Sequence, residues 1–165
     1  MFESEDTSTH DQRPIPPPIL FGLATTIGWI FDRKALRRSR PPQGATTAVA
    51  AGVRVAGGAL GAWTIITMKR SGQSPDPKKA KTSLIKTGPF KYTRNPIYVS
   101  AALSSISTSL RFGSPTGIIL VLFTWIFVDR TTVKSEEEYL RHRFHNEYDA
   151  YCDTTPRWLG VKSFR

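Results

Sequence analysis

Cysteine, histidine and acidic residues are scarce in this sequence of 165 residues. The single cysteine, Cys152, excludes an internal disulfide and indicates little about the redox compartment. Two histidines, His142 and His145, have a spacing that can ligate a metal, but no third ligand stands out, so no metal is expected. The 13 acidic residues face 23 lysines and arginines, which gives a net charge of +10. Such a charge favours either nucleic-acid binding or contact with an anionic membrane surface.

A secretory signal peptide is not expected either. Residues 1–11 are acidic where a basic segment would be required, and no small-residue cleavage site closely follows Phe31. The sequence also shows no internal repeat and no low-complexity tract. We predict a disordered polar tail at residues 1–14 and one domain at residues 15–165.

Long apolar runs are what the sequence does contain, and they decide between the two partners. They occupy residues 15–31, 46–68, 96–110 and 115–128, and Arg54 is the one charge within them. A soluble basic domain seldom carries four such runs, although several are shorter than the roughly 17–25 residues of a full span. We therefore predict an all-α, integral-membrane helical bundle of about four transmembrane helices. A helical C-terminal segment follows on the cytosolic side, the bilayer is the partner, and no nucleic acid is expected.

Small and hydroxyl residues recur at helical spacing in the second and third runs. Gly57 and Gly61 would let a neighbouring helix approach closely, either in a dimer or, as we favour, within the monomer. Ser100, Ser104 and Ser107 could line a polar cavity, but packing between helices is the favoured interpretation.

Two polar clusters flank the last two apolar runs. In the first, residues 84–98, Asn95 is predicted to cap the third helix through its side-chain oxygen, with the next proline in the first helical position. The N–H groups of that turn would form an anion site. In the second, residues 135–151, Ser135 and Glu138 could form a capping box. If the two runs form a hairpin, both clusters meet on one face, which is the predicted active site.

The basic residues predict the orientation in the membrane. Residues 111–115 are too short for anything but a tight hairpin turn, so the basic segments 69–94 and 130–165 share one side. The positive-inside rule makes that side cytoplasmic. The basic connector at 33–40 would then lie outside, against the rule, and we expect the larger clusters to outweigh it.

Five ordered motifs, interrupted by the apolar hairpin, make the sequence recognisable. They are Thr87-Gly88-Pro89-Phe90, Arg94-Asn95-Pro96-Ile97-Tyr98, Glu136-Glu137-x-x-Leu140-x-x-x-Phe144, Glu147-Tyr148-x-x-Tyr151 and Pro156-Arg157-Trp158. Each motif alone is a weak signal, and the ordered set is a strong one. Over roughly residues 46–158 the set resembles the isoprenylcysteine carboxyl methyltransferase family, which is related to the phospholipid N-methyltransferases.

The resemblance implies an enzyme with a cytosolic active site that uses S-adenosylmethionine. The cofactor-binding residues that it implies are Thr82, Ser83, Leu84, Ile85, Phe90, Asn95, Pro96, Ile97, Tyr98 and Glu136. The candidate substrate-binding residues are Arg94, Arg130 and Lys134, of which the last two could hold a lipid phosphate. No catalytic residue is assigned, and the methyl acceptor is expected to be an amphiphile or a small molecule.

Three positions depart from the pattern of the relatives that act on prenylated cysteine. Those relatives have histidine where Asn95 stands, and an arginine that holds their substrate carboxylate falls near Thr132. Their glycine after the helix phenylalanine is replaced by His145, so Asn146 is predicted to supply the left-handed turn. The second departure leaves the prenylcysteine substrate open.

The residue types also fit methyl transfer without the resemblance. The reaction is an in-line displacement, in which positioning can supply roughly 7–11 kcal/mol. The sulfonium of the donor favours aromatic faces, its ribose hydroxyls and ammonium suit Glu136, and its carboxylate suits the helix start at Pro96. The aromatic residues available are Phe90, Tyr92, Tyr98, Tyr148 and Tyr151. A carboxylate acceptor needs no general base at neutral pH.

Other interpretations stay open at this point. Residues 136–138 could be a solvated first turn that compensates the helix dipole, and Tyr148 and Tyr151 could be interfacial anchors. The acceptor could be a phospholipid amine or a small thiol. An NADPH-dependent sterol-reductase-like enzyme and a non-catalytic membrane protein are the alternatives from other classes.

Overall fold

A computed structural model describes residues 16–37, 43–73 and 82–160, and these residues form helices without any strand. The α-helices are α1 (Pro17–Lys34), α2 (Ala45–Arg70), α3 (Pro96–Arg111), α4 (Pro115–Val128), α5 (Lys134–Phe144) and α6 (Asn146–Thr154). A 3-10 turn at Gly88–Lys91 precedes α3, and a π-helical turn at Asp129–Val133 joins α4 to α5. The predicted all-α class is therefore confirmed for the described residues. The predicted disordered tail lies outside them.

The helix boundaries follow from proline and glycine in the sequence. A proline occupies the first turn of α1, α3 and α4, where its missing N–H has no partner to lose. Gly113 adopts a φ of 61° in the turn between α3 and α4, a conformation that favours glycine. Ser114 then caps α4, because its hydroxyl accepts a hydrogen bond from the Gly117 N–H at 3.0 Å. The predicted tight hairpin turn is confirmed.

Helix α3 is central, since it packs against α1, α2 and α4. At the contact with α2, Ser100 donates a hydrogen bond to the carbonyl of Gly57 at 2.8 Å, and Ser107 donates to that of Ala50 at 2.7 Å. A Cβ on Gly61 would lie 2.5 Å from the Ser100 hydroxyl. The glycines and serines thus pack helices within the monomer, as we favoured.

Helices α1 and α4 touch backbone to backbone. A Cβ on Gly28 would overlap the backbone of Gly117. One turn further along α1, the buried Asp32 carboxylate accepts hydrogen bonds from the Ser114 hydroxyl at 2.6 Å and the Thr116 N–H at 3.1 Å. A negative charge there also offsets the positive end of the α4 dipole. The end of α1 is therefore fastened to the beginning of α4.

We expect Gly28→Ala to lower the stability of the bundle, because the added methyl would force α1 away from α4. Overpacking of this kind costs about 1–3 kcal/mol. Gly22→Ala in the same helix is the matched control, since a Cβ there meets nothing within 4 Å. It should be neutral or stabilising, because alanine favours helix by about 0.5–1 kcal/mol over glycine. Equal melting temperatures of the two variants in detergent would contradict the close approach.

The outer surface of the bundle is apolar. Two helices, Ala45–Arg70 and the continuous Pro115–Phe144, are long and apolar enough to cross a membrane. By the same length and composition, the other described helices are not, and α3 has 16 residues. Large exposed apolar side chains on α1, α2 and α4 include Ile19, Leu23, Ile27, Val55, Ile66, Leu122, Phe123, Ile126 and Phe127. This surface fits a lipid environment better than water.

Candidate active site

The α3–α4 hairpin brings the two polar clusters of the sequence together at one end of the bundle. The Tyr98 hydroxyl, on the first turn of α3, donates a hydrogen bond to Glu136 Oε2 on α5 at 3.0 Å. The Tyr151 hydroxyl, on α6, donates to the carbonyl of Phe90 at 2.7 Å. The prediction that both clusters meet on one face is confirmed.

The loop before α3, residues 92–95, is held by the segment that follows α6, residues 155–160, which we call the C-terminal segment. The Arg94 N–H donates to the carbonyl of Pro156 at 3.0 Å, and the Thr93 hydroxyl donates to that of Arg157 at 2.7 Å. The predicted side-chain cap by Asn95 is wrong, because its amide instead donates to the Arg157 carbonyl at 3.4 Å. The orientation of the Asn95 amide is therefore set by a carbonyl 62 residues away and not by the N–H groups of the first turn of α3.

An ion network, which we call the Glu137 network, consists of Arg94, Asp129, Glu137 and Arg157, of which Asp129 and Arg157 are half-buried. Arg157 binds Glu137 through two nitrogens, at 3.1 and 2.6 Å, and Asp129 through the third, at 3.2 Å. Arg94 pairs at 3.2 Å with Oε1 of Glu137, the oxygen that also accepts from Arg157 Nε, and the Arg94 and Glu137 side chains are 8% and 10% exposed. The hydrogen bond to Glu137 raises the pKa of Arg157. The network joins α5 to both the loop before α3 and the C-terminal segment.

The π-helical turn lets both carboxylates of the network face Arg157. Asp129 and Glu137 are eight residues apart, and an α-helix advances about 100° per residue, so a regular helix would leave them about 80° apart. A π-helical turn holds more residues per turn and takes up this excess. Asp129 and Glu137 consequently reach the same guanidinium.

Two predicted features at the ends of α5 are wrong. The capping box of Ser135 and Glu138 does not form, because the chain before α5 is already helical and leaves no helix start to cap. The left-handed residue after α5 is His145, with a φ of 45°, and not Asn146. Because α6 begins at Asn146, the change of direction must fall one residue earlier.

Aromatic residues close the site from the C-terminal side. Trp158 packs on Trp125 with ring centroids 4.1 Å apart, and its indole N–H donates to Asp129 at 2.9 Å. Burial raises the pKa of the Tyr148 and Tyr151 hydroxyls, so both stay neutral and Tyr151 remains a donor. Sequence reasoning gave no site role to Asp129, Glu137, Arg157 or Trp158. For the last three the available signal was their place in the recognised motifs.

The predicted cofactor residues lie along the path from the loop into α3. Thr82 and Ser83 are exposed, Leu84, Phe90, Ile97 and Glu136 are half-buried, and Ile85, Asn95, Pro96 and Tyr98 are buried. Tyr98 and Glu136 are directly hydrogen-bonded, and Gln73 at the end of α2 donates to Ser83. Their role in binding a cofactor stays a prediction.

The three predicted substrate residues fall in two different environments. Arg94 is buried in the Glu137 network and also contacts the Cys152 sulfur, so it could reach a substrate only by leaving these partners. Its Nε atom has no hydrogen-bond partner among the described residues. Arg130 and Lys134 are exposed, one turn apart, where the apolar surface of α4 ends.

The fold and the site together define the class of protein. The described residues form a helical bundle with two helices that could cross a bilayer and a charged, aromatic cluster at one end. The apolar helices and the charged cluster together indicate a membrane protein with a polar site at one end of its helices.

The sequence profile of the family described as phospholipid methyltransferase matches residues 45–147, which is more than half of the chain. The chain belongs to this family and is therefore an enzyme that transfers a methyl group. No curated protein matches the chain. The match confirms the predicted relation to the phospholipid methyltransferases, while the isoprenylcysteine specificity stays a prediction.

Members of this methyltransferase family use S-adenosylmethionine as the methyl donor, and the residues present fit it. Glu136 offers carboxylate oxygens for an ammonium or ribose hydroxyls, and Phe90 and Tyr98 offer aromatic faces for a sulfonium. The buried Nε of Arg94 is a donor of the kind that a carboxylate needs. Anion, cation and hydroxyl partners for the donor thus lie at the same end of the bundle.

Proposed function

We propose that this protein is an integral-membrane, S-adenosylmethionine-dependent methyltransferase that methylates the amine of a membrane phospholipid. The choice of a phospholipid as the methyl acceptor rests on the position of Arg130 and Lys134. Both are exposed at the end of the apolar α4 surface, and they precede Glu136 on the same continuous helix. A lipid lying along α4 would present its phosphate to these two cations and its amine to the site.

The proposed chemistry asks the chain mainly for alignment. When bound, S-adenosylmethionine supplies an electrophilic methyl group on sulfur. An N–CH₃ bond forms as the S–CH₃ bond breaks, and the amine proton leaves to solvent at this polar end. The residues along α3 and α5 would hold donor and acceptor in line, and Tyr98 would fix the carboxylate of Glu136.

The second candidate is carboxyl methylation of an isoprenylated cysteine, which the five ordered motifs favour. Thr132, which is half-buried, stands where those relatives carry the arginine that holds their substrate carboxylate. Without this arginine, the headgroup of a phospholipid fits the described cations better. We therefore rank the prenylcysteine acceptor second.

The test is methyl transfer from radiolabelled S-adenosylmethionine by the detergent-purified protein placed in vesicles. Vesicles that contain phosphatidylethanolamine should become labelled in the lipid fraction, and vesicles of phosphatidylglycerol and phosphatidylcholine should not. Label on added N-acetyl-farnesylcysteine, with none on phosphatidylethanolamine, would select the second candidate. Label on neither acceptor would remove both.

We expect Glu136→Gln to weaken S-adenosylmethionine binding by roughly tenfold or more with an unchanged melting temperature. The change keeps size and removes the charge, and a charged hydrogen-bond partner is worth about 1.5–3 kcal/mol. Calorimetric titration in detergent measures the affinity. Glu138→Gln is the matched control, because Glu138 is exposed on the same helix. This variant should bind S-adenosylmethionine with the affinity of the wild type. Equal loss in both variants would mean a diffuse charge effect and would remove Glu136 from the site.

We also propose that α1 to α4 all cross the membrane, with the site end in the cytoplasm. The four helices alternate in direction, and the described parts of the two basic segments, before α3 and around α5, lie at the same end. In a Cys152→Ser background, a membrane-impermeant maleimide should label Leu36→Cys from outside intact cells. It should label Glu138→Cys only after the cells are permeabilised. Labelling of Glu138→Cys, and not of Leu36→Cys, in intact cells would show the opposite topology.

A further inference from the structure

Arg157 contacts both parts of the candidate site, the loop before α3 on one side and α5 with the π-helical turn on the other. Its backbone carbonyl accepts hydrogen bonds from the Thr93 hydroxyl and the Asn95 amide, which belong to the loop before α3. Its guanidinium donates to Glu137 on α5 and to Asp129 in the π-helical turn. One residue of the C-terminal segment therefore connects the loop to the helix that carries Glu136.

We propose that Arg157 is a positioning residue for methyl transfer. It holds the loop and α5 in a fixed relation, so that Asn95 and Tyr98 on one side and Glu136 on the other converge on the methyl donor. This role rests on the proposed binding of S-adenosylmethionine by Glu136. Arg157 acts through these residues and touches neither donor nor acceptor.

The structure separates this positioning role from a general role in folding. If the Arg157 guanidinium is removed, Glu137 keeps its ion pair with Arg94, and Asp129 keeps the indole N–H of Trp158. No carboxylate of the network is left buried without a partner, which is the condition that would unfold the chain. What is lost is the connection of the C-terminal segment to α5.

The loop depends on this segment because it has no regular structure of its own. Residues 92–95 lie between the 3-10 turn and α3, and the carbonyls of Pro156 and Arg157 accept three hydrogen bonds from Thr93, Arg94 and Asn95. The guanidinium fixes those carbonyls in place by its bonds to Glu137 and Asp129. A substitution of the side chain should therefore loosen the loop although the carbonyl itself remains.

The first measurement is S-adenosylmethionine binding to the full-length protein in detergent. Arg157→Ala should bind about tenfold more weakly than the wild type, as expected when charged hydrogen bonds that orient a site are lost. Arg157→Lys, which keeps the charge but not the two-pronged contact, should fall between them. Arg141→Ala is the matched control, because Arg141 pairs with Asp149 at 3.0 Å on the surface. This variant should bind S-adenosylmethionine with the affinity of the wild type.

Chemical rescue tests the position of the missing group. Millimolar guanidinium added to folded Arg157→Ala should restore most of the affinity, because the cation can occupy the space between Glu137 and Asp129. The control Arg141→Ala should not respond. A loss of affinity that guanidinium leaves unchanged would assign Arg157 a purely structural role and overturn the proposal.

Hydrogen exchange provides a readout that does not depend on the donor. In Arg157→Ala without ligand, the amides of residues 93–95 should exchange faster than in the wild type, and in Arg141→Ala they should not. Unchanged exchange together with unchanged affinity would overturn the positioning role. Faster exchange in a protein whose wild type binds no S-adenosylmethionine would support the coupling of loop and helix and would reject the proposed cofactor.

Discussion

Glu137→Ala is expected to destabilise the protein by about 3–5 kcal/mol, the cost of removing one partner from a buried ion pair. The Arg94 side chain is 8% exposed and would lose its carboxylate, while Arg157 would lose two of its hydrogen bonds. Thermal denaturation in detergent measures the effect. Glu138→Ala, on the next residue but exposed, should melt within a degree or two of the wild type. Similar melting temperatures in both variants would show that the Glu137 network does not stabilise the fold.

A conservative variant refines the first prediction. Glu137→Gln keeps the size of the side chain and one acceptor oxygen, replaces the second acceptor oxygen of the Arg157 contact with an NH₂ donor, and removes the charge that both arginines share. Its melting temperature should lie between those of the wild type and Glu137→Ala, because the size is kept while the buried Arg94 and the half-buried Arg157 are left with less compensation. A Glu137→Gln variant as stable as the wild type would mean that neither the shared charge nor the second acceptor oxygen is needed to hold the network.

A one-residue insertion and a one-residue deletion in the π-helical turn are expected to have opposite outcomes. Deleting Thr131, which is exposed, places Asp129 and Glu137 seven residues apart, or about 700° of α-helix, which is close to two full turns. A regular helix would then present both carboxylates to Arg157 as the π-helical turn does now. The deletion should keep the fold and most of the S-adenosylmethionine affinity.

Inserting an alanine after Thr131 should instead abolish binding. The insertion adds about 100° to the path, so α5 would turn Glu136 and Glu137 away from Tyr98 and Arg157. The melting temperature and calorimetric titration of both variants in detergent decide the matter. If the deletion were as damaging as the insertion, the π-helical turn would have a role beyond the register of α5.

Features that depend on local sequence could be predicted. The apolar runs 96–110 and 115–128 end within one residue of α3 and α4, because prolines begin both helices and the short segment between them permits a single kind of turn. The meeting of Tyr98 and Glu136 follows from that hairpin. The spacing of Gly57 and Gly61 predicts a packing surface within the monomer, and the structure confirms it because both glycines contact the serines of α3.

Features that depend on distant partners could not be predicted. Asn95 is a residue type that often caps helices, but the carbonyl of Arg157, far along the chain, binds its NH₂ group and orients the amide. Ser135 and Glu138 match a capping box, yet no sequence pattern announces that α4 continues into α5 through a π-helical turn. The central place of Glu137 depends on two arginines, Arg94 and Arg157, that folding brings together from distant parts of the chain.

The buried carboxylate at the end of α1 has a consequence for the order in which the chain is assembled. Asp32 leaves the ribosome 82 residues before Ser114, its hydrogen-bond partner at the start of α4. A carboxylate that has not yet met its hydrogen-bond donors is costly to take out of water. Until α4 emerges, the nascent α1 should therefore keep this end in the headgroup region. Its final seating is then a late event in biogenesis, triggered by the synthesis of the α3–α4 turn.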